Sequence, residues 1–321
     1  MGLFDDIRAS ARIVAERARS VRIDERRAAV LADELAGSFD PDSGLDPAHH
    51  PLATPEDTLA FVFIMDAINF GSGWFPFLAK RPGLSGYLSL AHALREHFLE
   101  RGAWTSAQLM ELPRDSLGEV LGQASRMDRP EVAELMELYA ESLRCLGGWL
   151  SEKFAGRFAS LVEEAGSSAE RLAELLAEMP FYRDTAQYDD VEVSFYKRAQ
   201  ITASDLATAF TGEGWGYFHD LDATTIFADN LVPHVLRCEG VLHYANPLLQ
   251  RIEAEETLPA GSHEEVEIRA CAVHAVEGML AGLRARGRPS SARELDFILW
   301  NRGQRPGFKA HPRHRTRCVF Y

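Results

Sequence analysis

The chain has 321 residues, of which 46% are hydrophobic, and a formal net charge of −14. That length admits one large domain or two ordinary ones with a substantial core. The acidity argues against general affinity for DNA or RNA, which is dominated by cationic contacts to phosphate, so an anionic ligand needs a local basic site.

The four cysteines, Cys145, Cys238, Cys271 and Cys318, are far apart and form no Cys-x-x-Cys pair, which signals neither a zinc site nor a disulfide framework. Reduced thiols in a cytoplasmic protein are the expectation. No stretch approaches the roughly 20 apolar residues that span a bilayer, and the sequence opens directly into a charged helix pattern, so neither membrane insertion nor secretion is expected.

In chain order, the first 35 residues read as one charged amphipathic helix with Ile7, Val14, Val21, Leu31 and Leu35 as sparse apolar positions. Phe39 to Pro55 is rich in Pro, Asp and Gly and reads as loop, ending where Thr54 can cap a helix and Pro55 fits its first position. That helix carries Asp66 and Asn69, three apart and so on one face, where they either line a pocket or tie helices together.

Helical patterns follow over Tyr87–Arg101, Leu117–Met127 and Pro130–Leu161, and Ser167-x-x-Glu170 reads as a capping box opening the next. Val191 to Tyr196 alternates and predicts a short strand or extended segment leading to Lys197, one of only four lysines. Gly212-Glu213-Gly214-Trp215-Gly216 lacks the flanks of a nucleotide-binding glycine loop and reads as a turn. Helices are expected over Val235–Glu255 and His263–Arg286, and Ser291-x-x-Glu294 should cap a short one bearing Asp296 to Trp300.

Residues 302–321 hold six cationic side chains and no acid. With no repeat or long linker, the expectation is one mainly α-helical domain over 1–321, at most in two lobes around a central cleft, with at most a short β element. Residues 1–50 would be an N-terminal helix and loop, and 302–321 a basic tail.

The most informative segment is Phe227-Ala228-Asp229-Asn230-Leu231-Val232-Pro233, where an acid sits in an otherwise apolar, helix-patterned run. A lone carboxylate there is costly unless it has a partner or a task. Spacing alone leaves open a capping Asp on an exposed helix turn. Together with Phe195-Tyr196-Lys197-Arg198-Ala199-Gln200, the run Glu294 to Asn301 and the tail Arg315 to Tyr321, the segment resembles the queuosine salvage proteins from about His50 onward. These are N-glycosidases that release queuine from queuosine 5′-monophosphate.

The resemblance implies an architecture similar to helix-hairpin-helix DNA glycosylases and places the catalytic acid at Asp229. It implies Phe227 as an aromatic wall for the base, and Asp296, Phe297 and Asn301 as the counterpart of an Asp-Tyr-x-x-Leu-Trp-Asp pattern that grips it. Phe297 and Asn301 depart from that pattern: one keeps a stacking face without a hydroxyl, the other an acceptor without charge. An ordinary core Phe227, and an Asp296 paired with a neighbouring Arg293, are the structural alternatives.

His50 is a base or sugar contact by the same resemblance, and a solvated loop histidine without it. Lys197 is the candidate cation for the 5′-phosphate, because a firm extended segment precedes it. His92 and His97 are five apart and His311 and His314 have no second pair at ligand spacing, so no metal and no cofactor are expected.

The expected activity is hydrolysis of a monomeric nucleotide, with no stable nucleic-acid partner. A base-excision glycosylase acting on nucleic acid is the alternative enzyme, disfavoured by the acidity and by the lack of a glycine-turn hairpin ahead of Asp229. A non-catalytic queuine- or nucleotide-binding protein, or a helical interaction scaffold, is the alternative outside enzymes.

Overall fold

The computed structural model describes residues 2–38 and 52–321. The elements up to the middle of the chain are α1 (Leu3–Arg17), β1 (Val21–Ile23), α2 (Glu25–Leu35), α3 (Pro55–Ala67), α4 (Gly86–Arg101), α5 (Ser106–Met110), α6 (Arg114–Val120) and α7 (Pro130–Lys153). Then come α8 (Phe158–Glu164), α9 (Ala169–Leu176), β2 (Thr185–Tyr188), β3 (Val191–Ser194) and α10 (Lys197–Ala209). The last third holds α11 (Val232–Cys238), β4 (Leu242–Tyr244), α12 (Asn246–Glu253), α13 (His263–Ala285), α14 (Ala292–Gly303) and α15 (Pro306–Lys309). The fold is mainly α, with two small antiparallel sheets, β1–β4 and β2–β3. No helix of the described residues is long and apolar enough to cross a membrane.

The chain forms two compact units. The first comprises Met1–Gly44, Asp184–Gln200 and Asp222–Arg317. Its central element is α13, on which apolar residues such as Val266, Ile268, Cys271, Val273 and Val276 are all buried. A helix apolar on nearly every side belongs inside a core, and α13 packs against α1, α2, β1 and α11.

The predicted single helix over the first 35 residues is in fact α1, β1 and α2. The backbone N–H groups of Arg19, Ser20 and Val21 donate to the buried carboxylate of Glu267 at 2.6 to 3.1 Å, and β1 pairs with β4. A remote acid and a remote strand thus outcompete local helix propensity. The same pairing divides the predicted helix over 235–255 into α11, β4 and α12.

The second unit comprises Leu45–Arg183, Ile201–Leu221 and Cys318–Tyr321. Within it α3 is apolar all round, with Leu59 through Ala67 buried, and is opened by Thr54 accepting from the Asp57 N–H at 3.0 Å with Pro55 behind it. The predicted helix over 130–161 breaks between α7 and α8, where Ala155 and Gly156 both take positive φ. The cap of α9 is Ser168, one residue later than predicted: Ser167 is left-handed at φ 61°, and Asp220 accepts from Ser168 Oγ, the Ala169 N–H and the Glu170 N–H. The glycine-rich stretch at 212–216 turns at Gly212 and runs into a short 3-10 helix over Gly214–Gly216, with Gly212 and Gly214 at positive φ.

Candidate active site

Asp229 does not lie inside a helix. It precedes α11, and its Oδ1 accepts from the N–H groups of Leu231 at 2.6 Å and Val232 at 3.1 Å. These donors are the N-cap residue Leu231 and the first helical residue Val232, whose N–H groups have no partner inside the helix. Leu231 is itself the N-cap of α11, so Asp229 lies two residues ahead of the cap and is not the capping residue that spacing left open; the turn it makes occupies one carboxylate oxygen. Oδ2 accepts no hydrogen bond from the described residues. A half-buried carboxylate with one oxygen fixed and the other uncommitted is oriented without being used up.

The segment ahead of Asp229, from Thr224 to Asn230, has no regular secondary structure and is buried apart from Asp229 itself. Its backbone groups must find partners elsewhere. The Thr225 N–H donates to Gln200 Oε1 at 2.8 Å, and Gln200 Nε2 donates to the Phe195 carbonyl at 2.9 Å. The Phe227 N–H donates to Asp296 Oδ1 at 2.8 Å, and the Ala228 carbonyl accepts from Arg269 Nε at 2.9 Å. Asp229 is thus carried on a strip of backbone gripped residue by residue from α10, α13 and α14.

Arg269 is the hub of this grip. Its Nη1 and Nη2 form a fork with Asp184, at 3.0 and 2.6 Å, and it lies 3.9 Å over the Phe195 ring. Asp184 in turn accepts from the Lys197 N–H at 3.2 Å, at the start of α10. The turn into α10 is tight: Tyr196 has φ 46°, a left-handed conformation that costs a residue with a side chain. The N–H groups of Phe195 and Tyr196 both donate to the Asp184 carbonyl, at 2.9 and 3.3 Å. Lys197 is 5% exposed, and among the described residues no carboxylate pairs with its ammonium.

Phe227, Asp229 and Asp296 are therefore brought together directly, and Lys197 joins them through Asp184 and Arg269. Phe227 is buried, and Phe297 and Asn301 are half-buried one turn apart on α14. Asp296 spends one oxygen on the Phe227 backbone. Asp66 and Asn69 belong to the second unit: Asp66 is buried near the end of α3, and Asn69, just past that end, donates through Nδ2 to Asp66 Oδ1 at 3.4 Å. His50 lies outside the described residues. No group of three or more His, Cys, Asp or Glu among the described residues could hold a metal ion.

The supporting residues Asp184, Gln200 and Arg269 were not singled out from sequence. Arg269 was the most accessible of them, because a charge within a helix apolar on every side must be buried and therefore partnered. Its neighbour Glu265, four residues earlier, instead reads as an ordinary surface pair; in the structure the two are buried, 3.5 Å apart.

The family described as "Queuosine salvage protein" matches residues 49–321. A protein of Sphaerobacter thermophilus named queuosine 5′-phosphate N-glycosylase/hydrolase is 36% identical over 318 residues, covering 97% of this chain and 96% of its own. Proteins of the same name from Mus musculus and Bos taurus are 35% and 34% identical, each alignment covering 98% of both chains. The chain belongs to the queuosine salvage protein family.

Proposed function

We propose that the protein hydrolyses the N-glycosidic bond of queuosine 5′-monophosphate, releasing queuine for salvage into tRNA modification. The bond from the anomeric carbon to the base breaks with its electrons going to the base. A water oxygen bonds to that carbon and keeps one proton as the anomeric hydroxyl, while its other proton passes to the departing base, leaving queuine and ribose 5-phosphate.

Positive charge develops on the sugar as the bond lengthens, so a carboxylate against the anomeric carbon stabilises the transition state more than the ground state. The observation that carries this reading is Asp229, with Oδ1 fixed by two backbone N–H groups and Oδ2 uncommitted. Queuine carries carbon where a purine has its basic N7, so the departing base is stabilised through its other polar edges. Asp296, Asn301 and His50 are assigned to those edges, and Phe227 and Phe297 to its faces.

Lys197 is assigned to the 5′-phosphate. Lys197 is 5% exposed and pairs with no carboxylate among the described residues, so a bound phosphate supplies its counter-charge. The product is formed in the cytoplasm, where tRNA modification takes place.

The test is chromatographic detection of free queuine after incubation with the monophosphate. Asp229→Asn and Asp229→Ala should lower turnover by at least about 100-fold, or ~2.7 kcal/mol, with the fold intact. Retention of more than about a tenth of the wild-type rate in Asp229→Asn would remove Asp229 as the main transition-state group.

A further inference from the structure

The six cations of residues 302–321 are committed very differently. Arg302 donates to Glu239 and Arg315 to Glu255, each at 2.8 Å, while Arg305, Lys309 and Arg317 are exposed. Arg313 is the exception: it is half-buried, and among the described residues no hydrogen bond or ion pair engages its guanidinium.

Its backbone is clamped on both sides. The Pro312 carbonyl accepts from Arg237 Nη2 at 2.8 Å, and the His314 carbonyl accepts from Asn230 Nδ2 at 3.4 Å. Asn230 adjoins Asp229, and Arg237 lies on α11, whose first N–H groups Asp229 Oδ1 accepts from. Arg313 is thereby held against the same few residues as the proposed catalytic carboxylate. Burial pulls its guanidinium below the ordinary arginine range, and the Asp229 charge opposes that pull, yet the two groups form no ion pair. A direct pair would spend the carboxylate, whereas separation leaves the acid and the cation both available.

We propose that Arg313 is a specificity-determining residue that recognises the anionic sugar-phosphate half of the substrate, as a second cation beside Lys197. This rests on the hydrolase reading above. A planar guanidinium presents paired donors matched to phosphate oxygens, and its burial is offset once an anion arrives.

Binding isolates the assignment from turnover. In full-length Asp229→Asn protein, ribose 5-phosphate, ribose and queuine are titrated calorimetrically, with and without Arg313→Gln and Arg313→Lys. The expected result is a loss of about 10-fold or more in ribose 5-phosphate affinity for Arg313→Gln, partial recovery in Arg313→Lys, and little change for queuine. Unchanged ribose 5-phosphate affinity, or equal losses for all three ligands, overturns the proposal. Release of queuine by the wild type is measured in parallel. Its absence alongside Arg313-dependent ribose 5-phosphate binding would sink the hydrolase reading and leave the anion site standing.

Discussion

Asp184 and Arg269 have side chains only 3% exposed, so their fork is a buried ion pair, with Glu265 as a second buried carboxylate 3.5 Å from Arg269. Removing one leaves an uncompensated charge in the core, at a cost of about 3–5 kcal/mol. Arg269→Leu should therefore unfold at markedly lower denaturant, and it also frees the Ala228 carbonyl beside Asp229. A midpoint within error of wild type would show that the pair is not a structural hub. Asp296 allows a finer division. Asp296→Ala leaves the Phe227 N–H without this acceptor, worth about 1–3 kcal/mol, whereas Asp296→Asn retains a carbonyl oxygen for it. Stability should recover in Asp296→Asn; if turnover stays low there, the charge of Asp296 acts on substrate. Lys197→Ala should shrink the preference for the monophosphate over the nucleoside by about 1.5–3 kcal/mol in kcat/KM, and an unchanged preference would exclude Lys197 from the phosphate site.

At the scale of elements, α11 and α14 approach closely at Gly303, where an added Cβ would lie 2.7 Å from Leu231 Cδ1 and 2.9 Å from Val235 Cγ2. Gly303→Ala forces either the helix or Leu231 aside, at about 1–3 kcal/mol. Because Leu231 donates its N–H to Asp229, turnover should fall more than stability alone explains. Full activity at reduced stability would show that the α11 start tolerates displacement. The sequence made several elements legible: the Thr54 and Ser291 caps stand as read, and Val191–Ser194 is a strand. It mispredicted the continuous helices at 1–35 and 235–255, where apolar spacing carries no information about the β1–β4 partner that interrupts both.

At the scale of the whole molecule, the segment up to Arg317 is ordered against the first unit, through the bridge Thr257–Arg315 and the Leu258 N–H to Arg315 carbonyl bond at 2.8 Å. The final residues Cys318–Tyr321 belong to the second unit, where Tyr321 is 3% exposed and its carbonyl accepts from the Gly71 N–H at 3.0 Å. Deleting Cys318–Tyr321 should lower the melting temperature and the rate of monophosphate hydrolysis; an unaltered truncation with salt-sensitive RNA or DNA binding by the intact protein would favour the nucleic-acid alternative.

Two buried histidines set a pH dependence. Burial pushes His234 down to about 4, with Arg237, Arg313 and His311 adding to it and the Phe308 carbonyl opposing it. Burial likewise pushes His314 down to about 3, facing Arg269, Arg313, His234 and Arg237. Both folded values lie below the unfolded one of about 6.5, so above that pH neither state binds the proton and stability is unaffected. As pH falls from about 6.5 to 4, the unfolded chain takes up protons that the folded chain refuses. Stability should drop by up to about 3 kcal/mol per pH unit for the pair. Urea unfolding at pH 7, 6 and 5 measures this, and a flat profile would show that the two sites are hydrated.

The sequence by itself determined the mainly helical class, the family and the acid in the Phe227–Pro233 segment, because apolar periodicity, capping residues and short motifs are local properties of the chain. Only the tertiary structure decided that Asp229 holds the backbone at the start of α11, that Asp184, Gln200, Arg269 and Asp296 grip the backbone beside it, and that Arg313 is a half-buried tail cation with no ion pair among the described residues. Those facts depend on partners far apart in sequence, such as Arg269 with Asp184 and Asp296 with Phe227. Buried backbone groups and charges must be satisfied somewhere, but which distant residue satisfies them is settled only when the helices pack.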